Sequence, residues 1–272
     1  EIDITENGNL IIGSKGGKAI TNDGFEIIGE NFVYNKLTNI LKVSGDIKFT
    51  DKNNGTEIYA DKATYLKNEE IVFTEGNSKA INENNIITAE NFKFNRIKNI
   101  LNASNNVEFI DIKKETIINT DKATYLKNDE IIFTDGKTTA LIENKYRFES
   151  RDVEYKIIKK ELYSNKKTSI FDDDENTYKL DNFFYEIDKQ ILKGKNINIY
   201  SKDDNKSEDN YFFSEGIFDF HKKNFVAKTT KVKVHKEIFE NDEQDPRVYG
   251  VSSYGDEKKT VIKKGVFTSC KI

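Results

Sequence analysis

Residues able to do chemistry are few in this chain. The two histidines, His221 and His235, lie far apart in sequence, and neither has a partner at metal-ligand spacing. Asp172-Asp173-Asp174-Glu175 carries enough charge to attract calcium, but it lacks the Asp-x-Asn-x-Asn-Gly order of a calcium loop and reads as a solvated turn. The one cysteine, Cys270, stands near the C-terminus, and a lone cysteine does not report a redox compartment. No Gly-x-x-x-x-Gly-Lys-Ser loop and no Gly-x-Ser-x-Gly elbow occurs, so nucleotide hydrolysis and ordinary acyl hydrolysis lack their apparatus. The expectation is a protein that is not an enzyme, with no catalytic residues, no metal site and no cofactor.

Composition narrows what remains. Of 272 residues, 36% are hydrophobic and 33% charged, so any core must be thin, which suits two sheet layers better than a thick globule. A net charge of −4 gives no field that would draw a polyanion, and nucleic-acid binding is set aside. No apolar run approaches the ~20 residues of a membrane helix. Without any methionine, Glu1 is not read as a translation start, and Thr268-Ser-Cys-Lys-Ile272 ends on no turn or cap; the native protein is expected to continue.

The elements that must supply a function are repeats. Asp61 to Gly76 returns almost unchanged as Asp121 to Gly136, and Glu30 to Leu41 returns as Glu90 to Leu101, both offset by 60 residues. That period halves. The anchors Glu30, Asp61, Glu90, Asp121, Arg151 and Asp181 follow at steps of 31, 29, 31, 30 and 30, each with a ring four residues on: Tyr34, Tyr65, Phe94, Tyr125, Tyr155 and Tyr185. Gly45, Gly76, Asn105, Gly136, Asn165 and Gly194 mark the other arm. Each ~30-residue unit therefore reads as two strand arms joined by short polar turns such as Lys67-Asn68 and Asn95-Arg96. The arms are β-branched, aromatic and alternating.

Within each first arm the alternation slips by one residue. Ile58 and Ala60 share one parity, Ala63 and Tyr65 the other, and the slip recurs between Ile87/Ala89 and Phe92/Phe94. A bulge or corner does this, and Asp61 reads as its solvated residue. One unit alone should not fold, because burying a few side chains at roughly 1.5–3 kcal/mol each does not offset roughly 1–2 kcal/mol of backbone ordering per residue. Stacking is required.

The interior series is Ile58, Ala60, Ala63, Tyr65, Ile87, Ala89, Phe92, Phe94, Ile118, Ala123, Tyr125, Phe148, Val153 and Tyr155. Either these residues fill a core, or the alanines leave a slot between two layers for a lipid chain. Keeping about 14 carbons from water is worth on the order of 10 kcal/mol at ~0.8 kcal/mol per CH₂.

The recurring acid, Ala or Phe, aromatic, Ile-Leu and Gly resembles the OstA-like repeat of lipopolysaccharide-transport proteins over about residues 8–200. Asp245-Pro-Arg-Val-Tyr-Gly250 with Gly265-Val-Phe-Thr-Ser-Cys270 looks like the passage into the outer-membrane barrel of the LptD family. The resemblance implies an all-β, elongated antiparallel jellyroll or open sandwich over 1–240, and a connecting segment over 241–272. It implies a periplasmic lipid conduit at the outer membrane of a Gram-negative cell, taking lipopolysaccharide from an LptA-like bridge protein. The chain would then work with its own C-terminal barrel and an LptE-like lipoprotein, and Cys270 becomes a disulfide candidate. With it, the slot reading is preferred, and lipid contacts are expected at Ile58, Ala60, Ala63, Tyr65, Ile87, Ala89, Phe92, Phe94, Ala123, Tyr125, Phe148, Val153 and Tyr155. The N-terminal arm would add a strand to the bridge protein through Leu10, Ile11 and Ile12. The bridge protein itself, or a structural stalk without a guest, are the rival readings.

Overall fold

A computed structural model describes residues 1–21, 24–53, 55–202, 208–234, 246–256 and 258–270. The chain is all-β, without an α-helix among those residues, as expected. It divides into two compact units, 1–136 and 137–272.

The first unit starts with short strands: β1 (Ile2–Thr5), β2 (Leu10–Gly13), β3 (Gly17–Ile20), β4 (Glu26–Gly29) and β5 (Asn31–Asn35). Long arms follow: β6 (Ile40–Asp51), β7 (Thr56–Leu66), β8 (Ile71–Asn82), β9 (Asn85–Asn95), β10 (Ile100–Asp111) and β11 (Thr116–Leu126). From β6 to β11 each arm pairs antiparallel with the next. Both β4 and β5 pair with β6, at its two ends.

The slip of parity is a bulge. Register shifts fall between Ser44 and Ile47 in the β6–β7 pair, between Tyr59 and Lys62 in β7–β8, and between Ser104 and Val107 in β10–β11. Gly45, Gly76, Asn105 and Gly136, four of the six marker residues, have left-handed backbone there. The bulge returns side chains to the interior on both sides, so Ile58, Ala60, Ala63 and Tyr65 are all buried despite their opposite parity.

β12 (Ile131–Ile142) runs across the boundary between the units. The second unit continues with β13 (Tyr146–Arg151), β14 (Glu154–Lys156), β15 (Glu161–Ser164), β16 (Thr168–Phe171), β17 (Thr177–Leu180) and β18 (Asn182–Glu186). Long strands return with β19 (Ile191–Lys202), β20 (Glu208–Asp219), β21 (Asn224–Lys233) and β22 (Arg247–Asp256), before β23 (Thr260–Lys263) and β24 (Val266–Thr268). Three arms are each cut in two at the corner, at Asp152–Val153, at Asn165–Lys167 and at Asp181. Their halves pair in the sequence β12, β13, β16, β17, β19, β18, β15, β14. These eight strands form a closed antiparallel barrel, with other strands outside it.

The passage expected to leave the array is part of the sheet. β22 pairs along its length with β21 and, on its other side, with β23 and β24. The Asn241 to Asp245 boundary and His235 lie outside the described residues.

Candidate functional site

An apolar cavity of ≈980 Å³ lies beside the N-terminal strands of the first unit. Alternation on β2, β4, β5 and β6 turns Ile11, Ile27, Phe32, Tyr34 and Leu41 toward it. Gly17 permits close approach: a Cβ there would stand 3.1 Å from the Phe32 ring. The lip is apolar as well. Ile2, Ile20 and Ile97 border the cavity and are 73%, 61% and 74% exposed. Burying such surface is worth roughly 25 cal/mol per Å², so a cluster of it in water marks a surface that binds something.

One side of the cavity is charged. Arg96, in the turn after β9, is buried, stacks 3.9 Å over the Phe25 ring, and donates to Asp51 Oδ2 at 3.2 Å and to Glu70. Tyr65 Oη donates to the same Glu70 at 2.7 Å. Burial first, then Glu70, pushes the Tyr65 hydroxyl well above the usual phenol range. Lys18 pairs with Glu26 at 2.7 Å, and Lys67 stands on the rim, without an ion pair among the described residues. The whole is an apolar chamber with fixed charge at one wall, the chemistry an amphiphile needs.

All thirteen expected lipid-contact residues are buried: Ile58, Ala60, Ala63, Tyr65, Ile87, Ala89, Phe92, Phe94, Ala123, Tyr125, Phe148, Val153 and Tyr155. Of these, Tyr65 alone lines the large cavity. Ile87, Phe94 and Tyr125 surround a space of ≈20 Å³, room for about one water. Phe148 packs 5.2 Å from both Phe183 and Tyr185. Ala63, and Phe92 with Ala123, also border two open recesses of ≈390 and ≈440 Å³ at the corners, edged by Lys62, Glu75 and Lys122.

The edge expectation moves by one strand. Leu10, Ile11 and Ile12 are paired on both sides, Ile11 with Ile4 of β1 and with Tyr34 of β5. The open backbone edge is that of β1 instead, because residues 1–13 fold back as a hairpin and the earlier arm takes the outer place. Arg96 was hidden in sequence as a polar turn residue, at the position where other units carry Lys67 and Lys127.

Asp172 accepts from the Asn176 backbone N–H at 2.8 Å and from Tyr178 Oη at 3.0 Å, which closes its turn. No group of three His, Cys, Asp or Glu among the described residues is arranged to hold a metal. Cys270 is a free, exposed thiol.

The chain matches no family model, and no curated protein is significantly similar to it in sequence.

Proposed function

We propose that the chain is a periplasmic lipid-conduit domain of the lipopolysaccharide-transport type, built as a two-layer jellyroll, that shelters acyl chains on their way to an outer-membrane barrel. The observation that carries the reading is the ≈980 Å³ apolar cavity with three exposed isoleucines on its lip. Its volume lies in the range of small-molecule sites, and each CH₂ it shields is worth ~0.8 kcal/mol. Lys67 at the rim suits the anionic head of such a lipid. The bridge protein docks on β1, whose backbone groups have no second neighbour among the described strands and whose side chains Ile2 and Ile4 face solvent.

The ≈20 Å³ space at Phe94 and Tyr125 holds no acyl chain, so passage along the repeats requires the packed interior to part there. The same tight packing favours a second reading, a structural β-repeat stalk in which these residues only fill a core.

Binding of lipopolysaccharide to the purified chain separates the two. A conduit binds it saturably, and a variant carrying Ile2→Asp, Ile20→Asp and Ile97→Asp loses at least about tenfold in affinity, or about 1.4 kcal/mol. These side chains are exposed, so the urea midpoint should hold. A stalk binds no lipid in either form.

A further inference from the structure

The second unit holds a different cavity, of ≈590 Å³, whose walls are aromatic and whose rim is acidic. Its rings touch in an unbroken series. Tyr146 stacks on Phe220 at 5.0 Å and 25°, Phe220 lies 5.4 Å from Tyr178, Tyr178 meets Phe218 edge-on at 6.2 Å, and Phe218 stacks on Phe225 at 5.8 Å. Five carboxylates border the space, those of Asp172, Asp173, Asp174, Asp219 and Asp256, against Lys145 and Lys223.

Most of those carboxylates are committed. Asp172 closes its own turn, Asp174 pairs with Lys223 at 3.6 Å, Asp219 accepts from the Lys222 N–H, and Asp256 accepts from the N–H groups of Lys258 and Lys259. Among the described residues Asp173 makes no hydrogen bond and no ion pair. An independent feature points the same way. Tyr146 is 8% exposed and lines the cavity, and among the described residues its side chain makes no hydrogen bond. Burial, and then the fields of Asp173, Asp172, Glu143 and Asp174, push that hydroxyl up to about 12.

Aromatic faces and carboxylates both attract positive charge, while rings give nothing to a hydrated metal ion. An anion would meet both repulsion and desolvation. We propose that this cavity binds an organic cation of the primary alkylammonium class, its head between Asp173 and the Tyr146 hydroxyl and its tail along Phe220, Phe218 and Phe225. The ammonium donates to the Asp173 carboxylate and to the Tyr146 oxygen. The inference stands on the second unit alone and does not depend on the lipid reading.

The test titrates the full chain with hexylammonium chloride and, as an anionic isostere, sodium hexyl sulfate, following the ring resonances of Tyr146 and Phe220 by NMR. Hexylammonium should bind saturably and at least about tenfold more tightly than the sulfate. Asp173→Asn, in an exposed turn, should weaken it about five- to tenfold with an unchanged urea midpoint. Tyr146→Phe, which keeps the ring, should weaken it by a smaller factor, about threefold. Equal affinity for the sulfate, no loss in Asp173→Asn, or no saturable binding of hexylammonium would each overturn the proposal.

Discussion

Asp61 accepts a 2.9 Å hydrogen bond from the side chain of Asn77, joining the corner of one arm to the bulge of the next. The clasp repeats, from Asn106 to Glu90 at 2.8 Å and from Asn196 to Asp181 at 2.7 Å. It explains two regularities of the sequence together. In these three arms the anchor is the acceptor, and at Gly76 and Asn105 the marker that precedes the donor carries the left-handed backbone.

Gly76 is the constrained half of this corner. Its φ is +76°, and a Cβ would lie 2.5 Å from Asp61 Oδ2 and 3.2 Å from Asp61 Cβ. Gly76→Ala is expected to destabilise the protein by about 1–3 kcal/mol, from left-handed strain plus displacement of Asp61. Asn77→Ala removes one exposed hydrogen bond and should cost about 1 kcal/mol or less. Urea midpoints of the two variants check the order.

Phe94 lacks what its counterparts have. Tyr34, Tyr65 and Tyr125 each donate to the residue that ends their own turn, Asn39, Glu70 and Glu130, at 2.7–2.9 Å. At Phe94 the equivalent acceptor, Asn99 Oδ1, is buried without a partner, and both residues border the ≈20 Å³ space. Phe94→Tyr should therefore stabilise the protein by about 1 kcal/mol, raising the urea midpoint without changing the slope. A drop in midpoint would mean that the hydroxyl does not fit.

Alkaline pH should unfold the protein through its buried tyrosines. Burial raises the hydroxyls of Tyr65, Tyr125, Tyr178 and Tyr185 far above the ordinary phenol value, and those of Tyr146 and Tyr211 to about 12. A raised folded-state pKa means that the folded form holds its proton longer than the unfolded one. The stability is complete below pH ~10, where unfolded tyrosine titrates, and is lost as pH climbs toward the folded values. Each such tyrosine contributes a fall of about 1.4 kcal/mol per pH unit in that window. Urea unfolding at a series of pH values, with tyrosinate absorbance followed in parallel, should show ionisation and unfolding together; tyrosines that titrate near 10 in a folded chain would refute this.

Strand arms, corner and interior were legible because period two and its slip are written in single residues such as Ile58, Ala60, Ala63 and Tyr65, all of them buried. Which strand lies at the edge was not. The fold-back of residues 1–13 depends on pairing, and nothing in Leu10 to Ile12 distinguishes an outer strand from an inner one. The cavity was equally hidden. It forms where short strands replace long arms, a matter of how Gly17 approaches Phe32, while Arg96 looks from sequence like any solvated turn cation. Burial also weakens one discriminating test. A charge at Ala63 or Ala123 would disrupt a filled core and a conduit alike, so exposed lip residues are the better probes.

The most direct measurement is photo-crosslinking to lipopolysaccharide in cells, with the probe placed in turn at Ile20 and Phe32 in the cavity, at Phe94 and Tyr125 in the packed interior, and at Lys93 on the outer face of β9. The lipid-conduit account expects capture at Ile20 and Phe32, capture at Phe94 and Tyr125 during active transport, and none at Lys93. Capture at Lys93 alone, or none at Ile20 and Phe32 in a folded protein, would contradict it.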